Sequence, residues 1–219
     1  MDKTKGELLQ EELMMKPVNG TSRLSDEALD KAEDFSVGYK KFMDAAKIEI
    51  EAVKEAIALL EKNGYHPFER GKKYQPGERF YYNNRGKAML LATLGKRPLD
   101  EGVRLMVAHI DSPRLDLKPN PLYEDSDIAL FKTHYYGGIR KYQWGATPLA
   151  MHGVVGKKNG EMVEISIGEK EGEPQFCITD LLPHLASEQN GRKLGEGLKG
   201  EELNIIVGSI PFMGEDDEK

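Results

Sequence analysis

The run VRLMVAHI, residues 103–110, constrains this chain more than any other feature. A short, almost continuous apolar run of this kind belongs to a strand covered on both faces, which requires layers of structure above and below it. The run ends in His109-Ile110-Asp111-Ser112-Pro113-Arg114, so polar residues and a proline follow at once. Alternate strand residues share a face, so His109 and Asp111 can project together from the strand's carboxyl end. Open α/β sheets commonly place their ligand crevice at such ends. A neutral imidazole is a good metal ligand, and a neighbouring carboxylate can fix its tautomer. The same spacing also suits a buried histidine satisfied by an aspartate, and on spacing alone both readings stand.

The flanking patterns predict a mixed α/β chain. Phe35, Tyr39, Phe42, Ala46, Ile50, Val53, Ile57 and Leu60 step by three or four, which predicts one long amphipathic helix from near Ser25 to Asn63-Gly64. Ser25 or Asp26 can cap its start, and Gly64 suits the left-handed residue after its end. A coiled coil is the rival reading, but the stripe lacks regular Leu or Ile at both seam positions. ERFYYN and KAMLLATL flank Asn84-Arg85-Gly86 and predict a hairpin. Composition shifts near Leu117, where KPNPLYEDSD reads as a crossing between modules. Beyond it come short strand-like runs (IALFKTHYY, PLAMHGVVGK, MVEISIGE, PQFCIT and LNIIVGSI), with Asn159-Gly160 as a further hairpin signal. TDLLPHLASEQ predicts one short helix capped by Thr179 or Asp180, and GRKLGEGLKGEEL an exposed, mobile loop.

Charge and composition narrow the function classes. Thirty-one basic and 37 acidic residues are interspersed along the 219-residue chain, without the clustered Lys and Arg of a nucleic-acid surface. No segment approaches the ~20 apolar residues of a membrane span, and the charged amino terminus lacks the apolar core of a secretory signal. The one cysteine, Cys177, excludes an intrachain disulfide framework and suits a reducing compartment. The expectation is a soluble, cytoplasmic protein without nucleic-acid or membrane partners.

The remaining candidates carry less. His134 and His152 alternate with apolar neighbours and read as strand residues facing solvent or an interface, and His66, before Pro67, reads as a loop residue. Cys177 in QFCIT reads as a buried, inert thiol. Gly137-Gly138 lacks the strand, spacing and helix of a phosphate-binding turn. His184, read without context, is an exposed residue of a short helix.

The longer context is more specific. VAHIDSPRLDLKPNPLYE followed by YYGGIRKYQW resembles the aspartyl-aminopeptidase family of metallo-aminopeptidases, which carries an Ala-His-x-Asp-Ser-Pro strand end and a Tyr-Gly-Gly segment. YYNNRGKAMLLATLG upstream and LLPHLA downstream extend the likeness from about Phe35 to Phe212. The resemblance implies the start of a mixed-sheet, zinc-peptidase catalytic domain over residues 1–117. It also implies an inserted β-rich oligomerisation domain over 118–213 that builds a homo-oligomer, followed by an acidic tail, 214–219. It further implies two co-catalytic Zn2+ ions per complete site, other divalent metals being compatible with such ligands, and a peptide substrate that loses an unblocked, acidic or other N-terminal residue. His109 would be a zinc ligand, Asp111 the carboxylate steering its imidazole, and His184 a donor placed in a neighbouring subunit's site, aimed at the substrate carbonyl.

The family's other ligands, a bridging aspartate, further carboxylates including a general base, and a late histidine, lie downstream of the inserted domain and have no counterpart here. The expectation is an amino-terminal portion of a longer enzyme, without peptidase activity alone. The alternative is a non-catalytic oligomerisation or scaffold protein derived from such an enzyme.

Overall fold

A computed structural model describes residues 3–210 and divides the chain into two compact units, Met1–Ala45 and Ala46–Lys219. The expected residues 211–213 of the inserted domain and the tail 214–219 lie outside the described residues.

In the first unit, α1 (Lys5–Leu13) starts at a capping box. Thr4 Oγ1 accepts from the Glu7 N–H at 3.3 Å, and Glu7 Oε2 accepts from the Thr4 N–H at 2.7 Å. α2 (Asp26–Ala45) is capped as its sequence predicts, with Ser25 Oγ accepting from the Ala28 N–H at 3.3 Å.

The second unit opens with α3 (Glu49–Lys62), so the expected single helix is two, interrupted at residues 46–48. The side chain of Glu51 reaches back to accept from the N–H groups of Lys47 at 2.8 Å and Ile48 at 3.3 Å. This satisfies orphan donors of a fresh helix start and makes the break affordable within a continuous apolar stripe. α3 ends as expected, with Gly64 at φ +77° and the Tyr65 N–H returning to Leu60 O.

β1 (His66–Pro67), β2 (Arg79–Asn84) and β3 (Ala88–Thr93) form one sheet, β1 parallel and β3 antiparallel to β2. The predicted hairpin is present, with Arg85 and Gly86 both at positive φ and the Lys87 N–H closing on Asn84 O, as a right-twisted ribbon requires. Tyr81 is buried, and its hydroxyl donates to Glu61 Oε1 at 2.8 Å, tying the sheet to α3.

The expectation for residues 103–110 fails. The run pairs with no strand among the described residues, and Met106 is 95% exposed. A doubly covered strand needs ladder partners at its edges and packing on both faces, and the described residues supply neither.

β4 (Arg114–Asp125) and β5 (Ile128–Tyr136) follow as an antiparallel hairpin, turned through Ser126 and Asp127 at positive φ. The proline-rich stretch read as a crossing between modules is the middle of β4. Its register slips between Leu117 and Leu122, where Pro119 and Pro121 have no N–H to give to the ladder.

β6 (Met151–Gly156) and β7 (Met162–Ile167) pair across the Asn159-Gly160 turn, as predicted. The PQFCIT run contributes only isolated bridges, at Phe176, Cys177 and Ile178. The helix expected from Thr179 is reduced to α4 (Ser187–Asn190). Asp180 Oδ1 is occupied by the Leu181 N–H and the Gln189 amide, and Pro183 removes a donor, so residues 182–186 form a turn. β8 (Ile205–Gly208) joins the free edge of β5.

The core of this region is Ile178, Leu198, Leu203 and Ile205, with Leu115, Phe131, Trp144 and Phe176 against it. Leu198 and Leu203 come from the glycine-rich segment expected to be a mobile loop. Arg192 pins that segment through both Glu202 and Glu188. The fold is mixed α/β with mixed sheets, as the sequence predicts.

Candidate functional site

The exposed segment before β4 and the end of β5 meet because β4 and β5 pair in the register Arg114 to Tyr136. Gly137, at φ +78°, turns the chain directly after β5, and a side-chain carbon there would lie 3.5 Å from Pro113. The 3.5 Å is ordinary contact, so the glycine serves the left-handed conformation.

His109 and Asp111 lie against each other, although not as neighbours at a strand end, since residues 103–110 form no strand. His109 Nδ1 lies 2.8 Å from Asp111 O and 3.1 Å from Asp111 Oδ1. Both partners are acceptors, so Nδ1 carries the proton and donates, which leaves the Nε2 lone pair outward on a side chain that is 82% exposed. This is the tautomer a metal-binding imidazole needs when a carboxylate orients it. Asp111 Oδ2 in turn accepts from the Tyr136 hydroxyl at 2.7 Å. That bond first, and His109 less, holds the Asp111 carboxyl below the usual carboxylate range, while the same bond raises the Tyr136 phenol.

Behind Tyr136 stands Arg114, its guanidinium 4.3 Å from the ring centroid. Arg114 Nε donates to Asp116 Oδ1 at 2.8 Å, and its other end pairs with Glu49 of α3 at 3.1 Å. Sequence reasoning missed Tyr136, Arg114 and Glu49. The available signals were the Pro-Arg that closes the His-x-Asp strand end and the Tyr-Gly-Gly segment.

His184 lies on the exposed turn at 183–185, and no hydrogen bond joins it to His109 or Asp111 within the chain. His134 is exposed and stacks on Tyr135, as its alternation suggests. His152 departs from its reading as a solvent- or interface-facing strand residue. Its side chain is 11% exposed and lies between Glu51, 2.8 Å from Nδ1, and Glu169, 2.9 Å from Nε2. Burial lowers its affinity for a proton, but the two carboxylates more than offset this, and its pKa is raised.

His109 fits a zinc ligand in chemistry and tautomer. Among the described residues, however, no group of three or more His, Cys, Asp and Glu side chains is placed to hold a metal ion.

Comparison with known proteins adds the family. Residues 42–217 match the family described as aminopeptidase I zinc metalloprotease (M18). A Clostridium acetobutylicum protein named "Probable M18 family aminopeptidase 1" is 45% identical over 213 residues, covering 95% of this chain and 46% of its own length. The solved M18 aminopeptidase of Thermotoga maritima superposes with a TM-score of 0.83 at 46% identity, over 93% of this chain and 44% of that one. Aminopeptidase I of Clostridium acetobutylicum gives 0.80 at 42% identity, over 94% and 46%. A dodecamer of yeast (S. cerevisiae) mApe1 shares the fold more distantly, with a TM-score of 0.58 at 19% identity over 81% and 39%. The chain thus spans less than half the length of the relatives it matches. Taken with the His109–Asp111 pair at the position the motif predicts, the match over most of its residues shows that this chain belongs to the M18 family of aminopeptidases.

Proposed function

We propose that this chain is the His-x-Asp-bearing part of a metal-dependent aminopeptidase that releases an unblocked N-terminal residue from peptides. The carrying observation is His109, with Nδ1 tied to Asp111 and Nε2 directed outward, in a chain of a zinc-metalloprotease family. His109 would hold zinc through Nε2, and Asp111 would orient the ring and raise its basicity. Zinc, when bound, polarises a scissile carbonyl and brings the pKa of water toward neutrality. Within the chain, Tyr136 and Arg114 keep the Asp111 carboxylate in place, and His184 offers an exposed imidazole to a neighbouring subunit's site, where it would donate to the substrate carbonyl.

Residues 1–117 serve as the start of the catalytic domain and 118–213 as the associating, β-rich domain. The dodecameric relative supports a homo-oligomer for the working enzyme. The residue released is acidic or another unblocked N-terminal residue, two ions occupy each complete site, and the compartment is the cytoplasm. No described helix is long and apolar enough to cross a membrane.

The second reading carried by the sequence is that the chain associates without catalysis. On the leading reading the 219-residue polypeptide alone neither holds two zincs nor cleaves peptides. In a longer polypeptide continuing past Lys219, His109→Ala lowers zinc content and hydrolysis of unblocked peptides together. Full zinc and full turnover in that variant would refute the role of His109. Two tight ions with turnover in the 219-residue chain would refute the need for further ligands.

A further inference from the structure

The Tyr-Gly-Gly segment carries no chemistry in the proposed reaction, yet it is built against the His109–Asp111 pair. Gly137 follows Tyr136 directly and turns the chain at φ +78° beside Pro113, two residues from Asp111. The Tyr136 hydroxyl donates to Asp111 Oδ2 at 2.7 Å, while Asp111 Oδ1 faces His109 Nδ1 at 3.1 Å. A carboxylate pinned at one oxygen cannot swing the other away from the ring. The tyrosine is itself pinned, because the Arg114 guanidinium lies over its face at 4.3 Å and is anchored by Asp116 on its own strand and Glu49 on α3. One run of contacts therefore leads from the first turn of α3 through Arg114 and Tyr136 to Asp111 and the imidazole. Each member except the last is held by a partner on a regular element.

We propose that Tyr136 is a positioning residue, whose hydroxyl fixes the Asp111 carboxylate so that His109 is kept as its Nδ1–H tautomer with Nε2 free for a metal ion, and that Arg114 holds the tyrosine in that posture. The proposal rests on the reading of His109 as a ligand, but its first effect is on the imidazole, before any metal binds. A free histidine side chain in water prefers the Nε2–H tautomer, so a dominant Nδ1–H form at an exposed histidine requires a fixed acceptor. Asp111 offers Nδ1 two acceptors, its main-chain O at 2.8 Å and its Oδ1 at 3.1 Å, and the carboxylate is the one that Tyr136 holds.

The test is long-range proton–nitrogen NMR of the metal-free 219-residue chain, recorded at a pH where the nitrogen shifts of His109 are those of a neutral ring. His109 is expected as the Nδ1–H tautomer. Tyr136→Phe keeps the ring under Arg114 and removes only the donor, and should shift the His109 tautomer ratio several-fold toward Nε2–H while the signals of His66 and His184 stay in place. Arg114→Gln, which leaves the hydroxyl but frees the ring, should shift the ratio in the same direction by less, and it serves as the test should the phenylalanine variant fail to fold. An ordinary Nε2–H ratio in the unsubstituted chain, or an unchanged ratio in either folded variant, would overturn the proposal. A failure of His109 to bind metal would sink the peptidase reading and leave this result standing.

Discussion

Replacing His152 by alanine should destabilise the second unit in a pH-dependent way. Both ring nitrogens face carboxylate oxygens, Glu51 at 2.8 Å and Glu169 at 2.9 Å. Only the imidazolium can donate from both nitrogens at once. The Glu51 bond joins two mostly buried side chains and falls at the lower end of charged hydrogen bonds, about 1.5 kcal/mol. Glu169 is 38% exposed, so its bond is discounted to about 0.5 kcal/mol. A neutral ring still donates to one carboxylate, so deprotonation loses the Glu169 bond and part of the Glu51 bond, and the pH-dependent part is about 1 kcal/mol.

The folded pKa is raised, so this stabilisation is fully present below the unfolded value of about 6.5 and is lost as pH rises through the folded one. Lys54 of α3 and Glu164 of β7 pair beside the cluster. Denaturant unfolding of the chain and of His152→Ala, about one unit below and three units above 6.5, should show a difference in ΔG of unfolding that is larger by about 1 kcal/mol on the acid side. A difference that does not change with pH would refute the clamped imidazolium.

Three further outcomes follow from the packing. Leu203, fully buried in the β-rich core, should cost about 2–5 kcal/mol when replaced by alanine, read as a lowered denaturant midpoint. Gly137→Ala forces a side chain into a left-handed backbone against Pro113, so it should cost about 1–2 kcal/mol and broaden the NMR signals of His109. Val107→Lys, in the exposed apolar run, should leave the unfolding midpoint of the 219-residue chain within about 0.5 kcal/mol and reduce its self-association in light scattering.

Much of the local structure was legible because it depends on near neighbours. The Ser25 cap, the Gly64 terminus and the Arg85-Gly86 and Asn159-Gly160 hairpins each follow from a residue type whose backbone or side chain acts within a few positions. The His109–Asp111 pair was legible for the same reason.

What could not be read depends on distant partners. The helix break at 46–48 rests on Glu51, whose other oxygen holds a histidine 101 residues away. The glycine-rich segment looked like a solvated loop because its two leucines reveal their burial only against Ile178 and Ile205. Residues 103–110 carry the pattern of a covered strand, but pattern supplies no partners, and none is paired to them among the described residues. Tyr136 meets Asp111 only through the β4–β5 register, 25 positions apart.

The central claim is that the His109 Nε2 lone pair is presented to a metal ion. Titrating Zn2+ into the metal-free 219-residue chain while following the nitrogen resonances of its five histidines tests this directly. The account predicts that His109 responds first and at Nε2, with Nδ1 still protonated toward Asp111. It is contradicted if the ion is taken up at another histidine while the His109 resonances stay where they were.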